Sequence, residues 1–181
     1  EQIKQIPFEI KRVYWIYDVP GGKDRGAHAY KENEEFIVAL SGSFDVELDD
    51  GRNKQTFSLN RSYFGVYVPK GMWRTMKNFS TNSLALVLSS TEYDKDDYIM
   101  DYEEFKTWVK NPSIKTISSG NETSVKINNP TDTFSAKEGK SVFDCSLCEL
   151  NKMHDVEGNL TYIYENVHVP FPINRVFYSY D

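Results

Sequence analysis

Histidine is scarce in this chain, with three among 181 residues, and cysteine scarcer still, with two. The cysteines stand as Cys145-Ser-Leu-Cys148, and no second C-x-x-C pairs with them. Their surroundings, VFDCSLCEL, read as a strand, where residues three apart point to opposite faces. That makes them structural free thiols rather than a zinc or redox pair, as suits a reducing cytoplasm. Cations are in deficit: the net charge is -6 and the pI about 5.2, which argues against a nucleic-acid or membrane surface. No apolar run approaches the roughly 18 residues of a membrane span, and no signal peptide opens the chain. The first residue is Glu1 rather than methionine, so the start of the protein is expected to lie further upstream.

Aromatic residues, by contrast, are plentiful: 12 Tyr, 11 Phe and 3 Trp. They fall in short strand-like runs. Residues 10–18 (IKRVYWIYD) read as a strand, broken by the loop from Val19 to Gly22. Phe36 to Leu40 suits a buried strand, and Phe44, Val46 and Leu48 alternate with acidic residues. Asp50-Gly51 signals a hairpin, and Phe57 and Leu59 resume the alternation. Tyr63 to Val68 and Leu84 to Leu88 continue the series. The pattern predicts an all-β fold, a sandwich or small barrel. One helix is expected, opened by Asp94 and Asp97 at capping-box spacing and carried by Tyr98, Tyr102, Phe105 and Val109 until Asn111-Pro112 stops it.

Composition then changes. More than half of the residues from 111 to 140 are Ser, Thr, Asn, Gly or Pro, and no hydrophobic period holds, so this stretch reads as a linker. Strand-like sequence returns at Val142, and the end of the chain repeats the beginning. VPFPINRVFYSYD (169–181) aligns with IPFEIKRVYWIYD (6–18) at a constant offset of 163, with seven of thirteen positions identical. Three segments follow: a domain at 1–110 whose leading strands are missing, a linker at 111–140, and at 141–181 the leading segment of a second copy.

Two motifs lie in the first segment. Gly22, His28, Tyr30, Glu35 and Gly42 resemble the first cupin motif, with Tyr30 where a second histidine usually stands. Gly65, Pro69, Gly71, Arg74 and Asn78 resemble the second, with Arg74 in place of the third metal histidine. Imidazole and carboxylate in that pattern ordinarily hold a transition metal. Only His28 and Glu35 remain, and a cation at Arg74 repels a metal, so no metal site is expected.

Residues 1–110 are similar over their whole length to the cupin-fold dTDP-4-keto-6-deoxyglucose 3,4-ketoisomerases, the WxcM-like family. The resemblance is carried by IKRVYWIYDVPGG, RGAHAYK, SGSFDVELDDG, VPKGMWR, NFST and YDKDDYIMDYEEF. Residues 142–181, with DCSLCEL and HDVEGNLTYIYEN, look like the leading segment of the same family. The resemblance implies a cofactor-free β-sandwich (jelly-roll) cupin, a homodimer that exchanges amino-terminal strands, and a dTDP-linked keto-deoxysugar substrate. It further implies a cytoplasmic role in deoxysugar and surface-polysaccharide biosynthesis.

Moving a ketone from C4 to C3 needs a general acid and base and no redox cofactor. His28 titrates near neutrality, and Tyr30 is its candidate partner. Arg12 and Arg25 are candidates to grip a pyrophosphate. Tyr14, Tyr67 and Trp73 could stack on or hydrogen-bond base and sugar, while Glu35 could orient a neighbouring histidine or Arg74. Each has a plainer alternative: a satisfied core histidine, surface arginines, a core Trp73. His154 and His168 have no motif and read as structural. Because active relatives carry histidine where this chain has Tyr30, two functions stay open: a ketoisomerase using Tyr30 as an acid, or a catalytically weakened cupin module that binds the sugar nucleotide or supports an active partner domain.

Overall fold

The computed structural model describes residues 6–110, 152–164 and 172–177. The linker, the Cys145 and Cys148 strand and His168 lie outside these residues. Strands β1 (Arg12–Tyr17), β2 (Arg25–Tyr30), β3 (Glu35–Ser41), β4 (Phe44–Asp49), β5 (Lys54–Leu59), β6 (Gly65–Val68), β7 (Trp73–Lys77), β8 (Leu84–Ser89) and β9 (Tyr98–Ile99) come from the first segment. The last two, β10 (Lys152–Asp155) and β11 (Gly158–Tyr164), come from the third. They form two antiparallel sheets, one ordered β10-β11-β1-β8-β3-β6 and the other β5-β4-β7-β2-β9. This is the expected all-β sandwich of cupin type, with one α-helix among the described residues.

Alternation explains why the sheets stack. The interior takes Tyr14, Ile16, Ile37 and Val87 from the first sheet and Phe44, Val46, Leu48 and Met76 from the second. Each strand turns its other face outward. On the second sheet, Ala29, Trp73 and Ile99 pack against Phe105 and Trp108 of helix α1 (Tyr102–Lys110). On the first, Val13, Leu86 and Leu88 meet Ile10 and Ile173.

The interior is graded from one end to the other. The pairings align Arg12, Ser89 and Glu35 in one row, Tyr14, Val87 and Ile37 in the next, and Ile16, Ala85 and Ala39 in the third. Apolar packing thus fills most of the sandwich and leaves its polar side chains at one end. Among the described residues no helix is long and apolar enough to cross a membrane.

The helix begins later than its sequence suggests. Asp94 does cap a turn, accepting from the Asp96 amide at 2.8 Å, but that turn is a single 3-10 turn, Lys95–Asp97. Asp97 turns its carboxylate to the Glu32 and Asn33 amides, at 2.7 and 3.1 Å. Tyr98–Ile99 then joins β2 as a strand. These tertiary bonds outweigh the local helical period. The true cap is Asp101, whose side chain accepts from the Glu104 amide at 2.8 Å.

The open edge of β1 is closed by the far end of the chain. All six residues of β1 pair antiparallel with β11, from Arg12 opposite Tyr164 to Tyr17 opposite Asn159. Leu160 and Tyr162 add to the interior, while Ile163 joins the outer cluster. A bare β1 would expose both a row of backbone groups and this apolar surface. A chain ending at Asn111 is therefore expected to lose a large share of the about 5–15 kcal/mol that holds a domain together. Its melting, followed by circular dichroism, should be earlier and broader than that of the whole chain; equally cooperative melting at the same temperature would refute the edge-closing role.

Candidate active site

Strand β2 departs from regular geometry just where chemistry is needed. Gly26 (φ 88°) and Ala27 (φ 54°) are both left-handed, and the pairing with β7 slips between Gly26 and His28. This bulge turns His28 and Tyr30 inward and Ala29 outward against Trp73. A Cβ on Gly26 would lie 2.6 Å from Arg74 Nη1 and 2.9 Å from the Arg74 carbonyl oxygen, so only glycine leaves room for the guanidinium.

Arg74 of β7 is the hub. Its Nε and Nη2 donate to Glu35 Oε2 at 3.1 and 2.8 Å. Nη2 also reaches the Tyr14 hydroxyl and His28 Nε2, each at 3.2 Å. Tyr14 in turn donates to Glu35 Oε1 at 2.7 Å. An arginine has only donors, so His28 Nε2 must be the acceptor, which fixes the tautomer with the proton on Nδ1. The two remaining ligand positions of the metal motif are thus both bonded to a cation.

Burial and charge set the protonation states. Burial would by itself raise the Glu35 pKa, but Arg74 overrides it and holds the carboxyl below its usual range. Burial first and Arg74 second push His28 down from 6.5 to about 3, so it does not titrate near neutrality as its type suggests and is instead a neutral imidazole throughout. Tyr30 moves the other way: burial, then Glu35, raises it well above 10, outweighing Arg74. Its hydroxyl therefore stays protonated and serves as a donor.

Tyr30 donates its hydroxyl proton to the Tyr98 hydroxyl oxygen at 3.0 Å. The His28 ring sits 4.8 Å from Tyr30 and 5.0 Å from Tyr98, centroid to centroid. The sequence reading places Tyr98 on a helix and not among the site candidates; the signal for its placement is the pairing with β2. Arg12 is buried in the same interior, its Nη2 3.3 Å from Ser89 Oγ and its Nε without a partner among the described residues. Burial would lower its pKa, yet the Glu35 carboxylate in the same interior helps hold it charged.

A cleft of about 590 Å³ opens over this end of the sandwich, lined by Arg25, Gly26, His28 and Met100 from the first segment and Glu157 from the β10–β11 hairpin. Arg25 Nη1 lies 3.8 Å from Glu157 Oε2. Of the residues singled out from the sequence, Arg12, Tyr14, His28, Tyr30, Glu35 and Arg74 meet in the interior, and Arg25 stands at the cleft mouth rather than beside Arg12. Two do not join them. Trp73 is buried on the opposite face of its sheet, against Tyr102 and Phe105 at 5.2 and 5.5 Å. Tyr67 points outward from β6, bonded to Glu34 and 6.3 Å from the ring of Phe8.

Residues 1–110 and 143–181 match the family described as FdtA: WxcM-like, C-terminal. A TDP-4-oxo-6-deoxy-alpha-D-glucose-3,4-oxoisomerase of Aneurinibacillus thermoaerophilus is 44% identical over 109 residues, 60% of this chain and 78% of that protein. Among solved structures, a 3,4-ketoisomerase from Helicobacter canadensis superimposes with a TM-score of 0.59 at 47% identity, over 61% of this chain and 84% of its own. A sugar 3,4-ketoisomerase from Thermoanaerobacterium thermosaccharolyticum, in complex with TDP, gives 0.57 at 35% identity, over 58% and 77%.

Two outcomes follow from the charges. Glu35→Gln strands the Arg74 cation in the interior and should cost about 3–5 kcal/mol of stability by denaturant titration. With His28 depressed, the unfolded chain binds a proton below pH 6.5 that the folded chain refuses, so stability falls as pH drops through that value toward 3. Glu35 contributes only at lower pH, below its ordinary 4.5. Thermal melts of His28→Gln should therefore show a flatter decline between about pH 7 and 5 than the wild type. An unchanged slope would remove His28 as its cause.

Proposed function

The chain belongs to the FdtA family, WxcM-like, C-terminal, and on that premise we propose that it is a 3,4-ketoisomerase of a dTDP-linked 4-keto-6-deoxyhexose. The observation that supports this most is a neutral His28 at the floor of the cleft, held by Arg74. The imidazole carries no proton on Nε2, and in taking the proton from C3 it exchanges the Arg74 Nη2 hydrogen bond for the new N–H bond. As it does so, an enediolate forms beside it, and this new anion favours the imidazolium that Arg74 alone would repel. His28 then returns the proton at C4. Arg74 and Arg12 lie close enough to the reacting end to stabilise the enediolate charge. Arg25, which lines the cleft, is the proposed partner of the diphosphate, with Tyr14 and Glu35 holding Arg74 in position.

A second reading has its own observation. The raised pKa of Tyr30 denies this copy a second base, which suits a weakened module that binds the sugar nucleotide and supports an active partner. The two readings differ in turnover rather than in binding. Residues 141–181 are assigned to the start of a second copy. The proposed assembly is a homodimer that exchanges amino-terminal strands, and the proposed setting is the cytoplasm, in the making of deoxysugars for surface polysaccharides.

The deciding measurement is keto migration in dTDP-4-keto-6-deoxyglucose, followed by NMR. Wild-type protein should convert the sugar slowly, and Tyr30→His should raise turnover by about tenfold or more, since an imidazole is largely free base at neutral pH where a phenol is not. Wild-type turnover on the order of 1 to 1,000 per second, unimproved by histidine, would contradict the weakened state. No conversion by either form would contradict the activity.

A further inference from the structure

Ketone migration moves two hydrogens, not one. The carbon-bound hydrogen leaves C3 and arrives at C4, and the hydroxyl hydrogen leaves O3 and arrives at O4. His28 accounts for the first. The second needs a group that gives a proton at one oxygen while taking one from the other.

Tyr30 and Tyr98 stand opposite each other where β2 pairs with β9. Their oxygens are 3.0 Å apart, with Tyr30 donating. Tyr98 accepts that bond, and its own O–H donates to no group among the described residues. The oxygens on neighbouring sugar carbons are separated by about 3 Å, the span of a hydrogen bond. Two hydroxyls at this spacing therefore match the two reacting oxygens. Both rings lie within 5.0 Å of the His28 ring, so the carbon and oxygen sites adjoin.

From this geometry we infer that Tyr98 is a catalytic residue, forming with Tyr30 a two-hydroxyl relay that carries the oxygen-bound proton from O3 to O4. The inference rests on the ketoisomerase reading and names the groups that complete it. The balance closes as follows. His28 removes the C3 proton, the C–H electron pair becomes the C3=C4 bond, and the C4=O pair moves onto O4. In a second step, once Arg74 and Arg12 have met the charge on O4, O4 takes the Tyr98 proton, Tyr98 takes that of Tyr30, and Tyr30 takes that of O3. Each phenol ends as it began, and the enediolate charge rests on O3. When that charge forms the C3 ketone, the C3=C4 pair collects the proton from His28 at C4. No oxidant or cofactor enters, and neither tyrosine carries a lasting charge. The relay also gives Tyr30 work that does not require it to ionise. An imidazole at position 30 has a donor and an acceptor nitrogen and could serve in the same relay.

The test uses the whole chain with dTDP-4-keto-6-deoxyglucose in D2O, with NMR following both deuterium uptake at C3 and appearance of the 3-keto sugar. Tyr98→Phe keeps the ring and removes only the hydroxyl. It should lower isomerisation about a hundredfold while enzyme-dependent exchange at C3 continues near the wild-type rate. Tyr30→Phe should do the same, and the double variant should be no worse than either single one, because a relay is broken once. A purely structural role would lower exchange and isomerisation together, and that result would overturn the relay. So would Tyr98→Phe isomerising at the wild-type rate. Wild-type protein showing neither exchange nor isomerisation would overturn the ketoisomerase reading and the relay with it, whereas an active wild type with an unaffected Tyr98→Phe overturns the relay alone.

Discussion

The buried ion pair of Arg74 and Glu35 is the constraint around which the polar end of the sandwich is arranged. Both side chains are nearly inaccessible to water, so each charge must be met in full by the other or by oriented dipoles. That requirement explains features that otherwise look separate. Tyr14 is needed to occupy the second Glu35 oxygen. Gly26 must lack a side chain so that the guanidinium fits. His28 must offer a lone pair to Arg74 Nη2, which fixes its tautomer and keeps it uncharged. The cation at the centre of this end of the sandwich is covalently part of β7.

How the supports are distributed is also informative. The β2–β3 turn is pinned by the Asp97 carboxylate and by Asn33, whose side-chain oxygen accepts from the Thr91 amide and hydroxyl at 3.1 and 3.0 Å. That pinning holds Tyr30 and Glu35 on either side of the turn. It also places Tyr98, the next residue after Asp97, opposite Tyr30. One short acidic stretch therefore serves both as scaffold and as the origin of a site residue.

Much of this was legible in the sequence, though unevenly. Strands β1, β3, β4, β5, β6 and β8 announce themselves because most of their inward positions are apolar. Strands β2 and β7 do not, since their inward positions are His28, Tyr30 and Arg74, and a polar interior erases the alternation that marks a strand. Their motif spacing revealed them as chemistry before it revealed them as structure. Tyr67 and Trp73 were drawn in as aromatic candidates near the motif, but a strand's two faces separate neighbours: Trp73 turns its back on Arg74 across one peptide bond. Tyr98 was hidden by a helical period that lost to the hydrogen bonds Asp97 accepts from the Glu32 and Asn33 amides. Glu157 could not be assigned at all, because its place beside Arg25 depends on a pairing between ends of the chain some 130 residues apart (157 − 25 = 132).

The pairing of β11 with β1 also fixes how the protein answers to dilution. Both strands belong to one chain, so the association that closes the sheet and places Glu157 on the cleft is unimolecular, and mass action gives it no dependence on protein concentration. A cleft assembled this way keeps its rim in a dilute cell extract as firmly as in a concentrated one. Exchange of the same hairpin with a second molecule must compete against that internal partner, and it gains only as the concentration of chains rises. Joining the hairpin to the domain it completes thus turns a matter of encounter between molecules into a matter of folding within one.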